Sequence, residues 1–152
     1  MVQAFKFRFH HWLLDDFADM MEGTARARFK VDEIGVVTPV PITLWHRIAR
    51  GYNQSGYLAA ALAKRLGAPF AGRILRRVGT PRAQRTLGEE ERRQNVEGTF
   101  AVRRPALVRG RTVLVVDDIM TTGATLSECA KMLKESGAER VWCISLARSV
   151  RD

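Results

Sequence analysis

Residues 113–125, VLVVDDIMTTGAT, constrain this chain more than any other stretch. The four aliphatic residues of 113–116 read as a fully buried strand, the pattern of a parallel sheet covered on both faces. Two adjacent acids, Asp117 and Asp118, follow at the carboxyl end of that strand, where open α/β sheets place their ligands. Thr121, Thr122, Gly123, Ala124 and Thr125 then form a small-residue loop that opens a helix over 126–136. Backbone amides and threonine hydroxyls at a helix amino terminus cradle a phosphate, assisted by the helix dipole. Glu128, three residues beyond Thr125, has the spacing of a capping box. Taken singly, acids end strands and threonines cap helices. For the ordered set of thirteen that reading loses: the loop can cradle a phosphate, and the carboxylates can hold ribose hydroxyls or a magnesium ion through its waters.

Two other chemistries use the aliphatic-Asp-Asp half. A receiver domain begins with such a strand but needs four further strand–helix units, and only 27 residues follow Thr125. A nucleoside triphosphatase would place the acids on magnesium, yet no G-x-x-x-x-G-K-[ST] loop occurs in the chain.

The flanking sequence supplies the rest of an α/β pattern. A helix is expected over 13–21, with Leu13, Leu14, Phe17, Ala18 and Met21 on one face and Gly23 as its stop. A β-branched strand over 34–40 runs into Pro41. Asn53 caps a helix over 54–66, which Gly67 and Pro69 end. Residues 74–78 read as a short strand, followed by a long basic loop with a helical turn at 89–93, and then a strand near Phe100. Gly137 ends the second-last element, and 141–147 (VWCISLA) is a last buried strand. Strand, helix and strand at this spacing form a right-handed crossover, so the expected fold is a single α/β domain spanning 1–152, with a mainly parallel sheet of about five strands flanked by helices.

Charge adds a second constraint. The chain carries a formal +9, and it is unevenly placed: between Arg47 and Arg111 stand fifteen Lys and Arg, fourteen of them Arg, against four acids, a local surplus of eleven. Arginine's planar fork suits phosphate. A polyanionic partner is one reading of this surplus and a solvated surface the other. At 46% hydrophobic and 27% charged, the composition is that of a globular chain. No apolar run reaches the roughly 18 residues of a membrane span, and the amino terminus carries acids where a secretory signal would be apolar, so a cytoplasmic location is expected. Cys129 and Cys143 make neither a disulfide framework nor a zinc site and are expected to be inert buried thiols; His10, His11 and His46 lack partners at ligand spacing.

The stretch 113–125 resembles, over its whole length, the 5-phosphoribosyl-1-pyrophosphate signature of the type I phosphoribosyltransferases. Two further segments, 39–67 and 84–100, are similar to the ComF family: a Pro-Val-Pro turn, an Arg-Gly-aromatic-Asn-Gln element at 50–54, and a Gln-x-x-Leu…Arg-x-x-Asn-Val-x-Gly-x-Phe loop. Phe5-Lys6-Phe7 resembles that family's Leu-Lys-aromatic element. Many ComF-like proteins carry an amino-terminal four-cysteine zinc module. This sequence has none, so it is either a shorter member or lacks its front.

The resemblance implies the type I phosphoribosyltransferase fold, a homodimer, and phosphoribosyl pyrophosphate with magnesium as ligand. Asp117 and Asp118 would contact the ribose hydroxyls and, indirectly, the metal. Thr121, Thr122, Gly123, Ala124 and Thr125 would hold the 5′-phosphate. Val40 and Pro41, in a turn presenting backbone amides, would face the pyrophosphate together with Arg47 and Arg50. Arg82, Gln84, Arg85, Arg92 and Asn95 would belong to a loop closing over the sugar phosphate. The reaction implied is displacement of pyrophosphate from ribose carbon 1 by a nitrogen nucleophile, through an oxocarbenium-like state. The sequence does not select an acceptor. ComF-like proteins are associated with competence and DNA uptake, which implies an alternative: a binding module for single-stranded DNA, with Arg73, Arg76, Arg77, Arg82, Arg85, Arg103 and Arg104 as its electrostatic footprint.

Overall fold

A long amphipathic helix, α1 (His11–Arg28), leads the computed structural model, which describes residues 11–42, 53–78 and 96–149. The helix continues through Gly23 instead of stopping there. Ala25, one turn beyond Met21 on the same apolar stripe, is fully buried, and Arg26 pairs with Glu22 one turn back at 2.8 Å. Burial of the next apolar position outweighs the roughly 1 kcal/mol that one exposed glycine costs a helix.

Strand β1 (Ile34–Pro39) pairs in parallel with β4 (Thr112–Met120), and β4 pairs in parallel with β5 (Arg140–Arg148), giving the sheet order β1-β4-β5. Helix α2 (Gln54–Leu66) has the expected bounds. It ends at Gly67, whose φ of 66° is the left-handed conformation a non-glycine residue resists. The chain then lies beside the free edge of β1: Val37 donates to the Pro69 carbonyl at 2.8 Å and accepts from the Ala71 N–H at 3.0 Å, a parallel bridge at Phe70. Strands β2 (Leu75–Arg77) and β3 (Phe100–Val102) form a separate antiparallel ladder, so the five strands among the described residues divide into three parallel and two antiparallel. Helix α3 (Ala124–Glu135) makes the crossover from β4 to β5.

The alternation of β4 divides the core in two. Leu114 and Val116 face α1 and α2 together with Val37, Leu58 and Leu62. Val113 and Val115 face α3 and the β2–β3 ladder together with Cys129, Leu133 and Phe100. Strand β5 is half-buried, not the fully buried strand its composition suggested, because it is the sheet's edge among the described strands. Trp142 on it stacks against Phe29 at 5.1 Å between ring centroids. No helix among the described residues is long and apolar enough to cross a membrane.

Candidate functional site

Strand β4 does not end at its acids. It runs to Met120, because β5 pairs with it as far as Arg148, so Asp117 and Asp118 lie within the strand. Asp117 continues the row of Val113 and Val115, and Asp118 the row of Leu114 and Val116, which alone would send the carboxylates to opposite faces. A residue from another element brings them together. The Ser55 hydroxyl, in the first turn of α2, accepts the Asp118 N–H at 3.2 Å and donates to Asp117 Oδ1 at 3.1 Å, with Asp118 Oδ1 at 3.4 Å.

Each acid also uses its Oδ1 locally, Asp117 to accept the Asp118 N–H and Asp118 to accept the Ile119 N–H, both at 2.9 Å. One oxygen of each carboxylate is thus committed to the scaffold. Burial, then the charge and the hydrogen-bonding contact of the Asp118 carboxyl beside it, push the Asp117 carboxyl up to about 7, against the opposing pull of the Asp118 N–H and the Ser55 hydroxyl. Two thiols lie behind it. Burial raises both, Cys143 to about 11, which makes them the inert thiols expected of their apolar positions.

The small-residue loop is shorter than its sequence suggests and belongs to Thr121, Thr122 and Gly123. Ala124 and Thr125 are already the first turn of α3. Gly123, at φ 81°, is the residue before the helix, and the Thr122 hydroxyl accepts the Ala124 N–H at 3.3 Å. The amides of Thr125 and Leu126 are first-turn donors without carbonyls inside the helix. Asp117, Met120, Thr121, Gly123, Ala124 and Thr125 line a small open hollow there. Glu128 does not close a capping box; it accepts the Gly98 N–H at 2.9 Å.

Around this centre the other expected residues separate. Val40 is buried and gives its N–H to the Val116 carbonyl at 2.9 Å, while Pro39 and Pro41 have none to give. The Pro-Val-Pro turn therefore presents no backbone amide to a ligand, and Ile42 is the first residue that has one to offer. Asn53 stands before α2 as expected but makes no side-chain cap bond; its Oδ1 is buried without a partner among the described residues. Arg47, Arg50, Arg82, Gln84, Arg85, Arg92 and Asn95 lie outside the described residues.

Of the basic residues, Arg77 is not part of an exposed footprint. It is half-buried over the Phe100 ring at 5.2 Å, and burial lowers its pKa. Arg73, Arg76, Arg103, Arg104, Arg109 and Arg111 are exposed, with no ion pair among the described residues.

Residues 57–151 match the phosphoribosyl transferase domain family. The chain is also 31% identical to Competence protein F of Haemophilus influenzae, over 98% of this chain and 67% of that one. It belongs to the ComF family of phosphoribosyltransferase-like proteins. The DNA utilization protein YhgH of Escherichia coli K12 is 34% identical over 69% of this ComF-family chain, which spans about half (47%) of that relative's length. Among solved structures, an allosteric regulatory enzyme of purine biosynthesis superposes with a TM-score of 0.58 at 23% identity, over 88% of this chain and 26% of that one. The adenine phosphoribosyltransferase of Thermoanaerobacter pseudethanolicus gives 0.52 at 20%, over 88% and 78%. These establish the type I phosphoribosyltransferase fold.

The site residue that sequence reasoning missed is Ser55. Its signal was present: it shares the i, i+3, i+4, i+7 stripe of Leu58, Ala59 and Leu62, so a hydroxyl stands at a core position of α2.

Proposed function

We propose that this ComF-family chain binds a 5-phosphorylated ribose of the phosphoribosyl pyrophosphate type. The observation that carries this reading is the paired arrangement of Asp117 and Asp118, one oxygen of each held by the scaffold, beside the amide-rich start of α3. The two carboxylates, set side by side about the Ser55 hydroxyl, suit two neighbouring ribose hydroxyls. The Thr121–Thr122–Gly123 loop and first-turn amides suit a 5′-phosphate. Magnesium would be held through waters by the two acids and by ligand oxygens, the hard oxygen donors it prefers. Bound there, magnesium would neutralise charge on a departing pyrophosphate.

The chain's own residues would fix the sugar at both ends, so a nitrogen nucleophile displacing pyrophosphate meets carbon 1 in one orientation. Homodimer assembly, which rests on family resemblance, and a cytoplasmic location, which rests on the sequence pattern, are parts of this reading. Calorimetry with phosphoribosyl pyrophosphate and magnesium tests it, comparing the native protein with Asp117→Asn/Asp118→Asn. Heat from the native protein and none from the variant is expected; equal binding by both overturns the reading.

A second reading is favoured by one observation, the six exposed arginines that no described acid pairs. They suit the backbone of a single-stranded nucleic acid, and they lie apart from the residues lining the phosphate hollow. The relatives' names, a competence protein and DNA utilization proteins, agree with it. The two readings address different surfaces and are compatible.

A further inference from the structure

We infer that Ser55 is the positioning residue that makes the Asp117–Asp118 pair selective for ribose over 2-deoxyribose. The inference rests on the reading of that pair as a ribose-diol site. It begins from a geometric problem: neighbours on a strand point to opposite faces, whereas two hydroxyls on adjacent sugar carbons need both carboxylates on one side. Within β4 each carboxylate is tied only to the N–H of the next residue. The solution comes from α2, 62 residues earlier in the chain, whose Ser55 hydroxyl reaches Asp117 Oδ1 at 3.1 Å and the Asp118 N–H at 3.2 Å, with Asp118 Oδ1 at 3.4 Å.

Ser55 is 2% exposed, so it acts on a ligand only through the acids. A hydroxyl has one proton and two lone pairs. Its proton goes to Asp117 Oδ1, the nearer carboxylate oxygen, and a lone pair takes the Asp118 amide. That gathers the two Oδ1 atoms about one hydroxyl and so sets the two carboxylates relative to each other. Without the hydroxyl, Asp117 Oδ1 keeps the Asp118 N–H and Asp118 Oδ1 keeps the Ile119 N–H, so each acid retains a local bond but the two lose their common reference. The consequence falls on the second contact of the diol, the one that distinguishes ribose from 2-deoxyribose. The 5′-phosphate end is held by a different element, the loop before α3.

The test is the ratio of dissociation constants for 2-deoxyribose 5-phosphate and ribose 5-phosphate, measured by calorimetry on the full chain. The native protein prefers ribose 5-phosphate. Ser55→Ala is expected to shrink that preference by about threefold to tenfold, the range of one net hydrogen bond, and Ser55→Thr, which restores the hydroxyl, to recover it in part. If the alanine variant fails to fold, Ser55→Cys keeps the volume while offering only a weak donor and acceptor, and it is read the same way. A merely structural role weakens both sugars alike. An unchanged ratio in a variant of a native protein that does discriminate therefore overturns the role of Ser55 and leaves the diol site standing. A native protein that binds both sugars equally overturns the diol reading, and this inference with it.

Discussion

Glu128 Oε1 accepts the Gly98 N–H at 2.9 Å, so the helix that follows the Thr121–Thr122–Gly123 loop also holds the turn at the foot of β3. Lys131, one turn further along α3, faces Glu97 at 3.5 Å on the same turn. Glu128 is buried and its carboxylate is committed to that one amide among the described residues. Glu128→Ala is expected to cost about 1 kcal/mol and to speed hydrogen exchange at Gly98 and Thr99. Glu128→Gln retains an acceptor and should recover most of the loss. Urea melts combined with exchange measurements decide this; a glutamine variant as weak as the alanine one would show that the charge, and not the acceptor, holds the turn.

Asp117 predicts a pH dependence of stability. Its carboxyl, ordinarily at 3.8, is raised in the fold to about 7. Between those values the unfolded chain has released the proton while the folded chain still binds it. Stability therefore falls as pH rises across that window, by at most about 1.4 kcal/mol per pH unit, and the penalty is complete above it. Asp117→Asn carries no such proton, so its stability relative to the native protein should climb from pH 5 to pH 8. Denaturation midpoints at three pH values check this, and a constant difference refutes it. Ribose 5-phosphate affinity of the native protein is expected to strengthen over the same window, as the carboxylate ionises.

These relationships show what a sequence makes legible. The buried run of 113–116, the acids after it and the glycines at 67 and 137 announce local geometry, and α2 lies within its expected bounds. Where tertiary pairing overrides local signals, the reading shifts. Gly23 is passed over because Ala25 has a core to enter, and β4 outruns its aliphatic stretch because β5 pairs beyond it. The partners of Asp117 and Glu128 were out of reach for a different reason. Ser55 and Gly98 lie 62 and 30 residues away, and only the folded sheet brings them near. The Pro-Val-Pro turn misleads in the same way, since the Val40 amide belongs to the Val116 carbonyl across the ladder.

Gly123 tests the phosphate cradle. Its φ of 81° is strained for any side chain, whereas the space is not, since an added Cβ would meet only Met120 Sδ at 3.6 Å. Gly123→Ala is thus a backbone perturbation, expected to cost about 1 kcal/mol and to lower the melting temperature by about 3 °C. Because the strain is relieved by moving the amides that begin α3, ribose 5-phosphate affinity should fall further than stability does. Calorimetry beside thermal melts separates the two, and a variant with lowered melting temperature but native affinity would remove the loop from the binding site.

The exposed arginines make the last prediction. Arg76 lies opposite Ala101 in the β2–β3 ladder, and Arg103 follows two residues on, just past the end of β3, with both side chains exposed. No acid among the described residues pairs with either, whereas Arg65 is held by Asp15 at 3.0 Å and Asp19 at 2.7 Å. If a single-stranded nucleic acid lies along this face, each arginine that neutralises a phosphate steepens the salt dependence of binding by about 0.7 in the slope of log K against log salt. Arg76→Gln/Arg103→Gln should therefore flatten the slope by about 1.4 for an oligothymidine strand. Arg65→Gln should leave the slope unchanged, because its charge is already answered within the protein. Equal slopes for all three proteins would assign the arginine surplus to solvation. A slope that changes only in the double variant would mark the outer face of the β2–β3 ladder as the track for the strand.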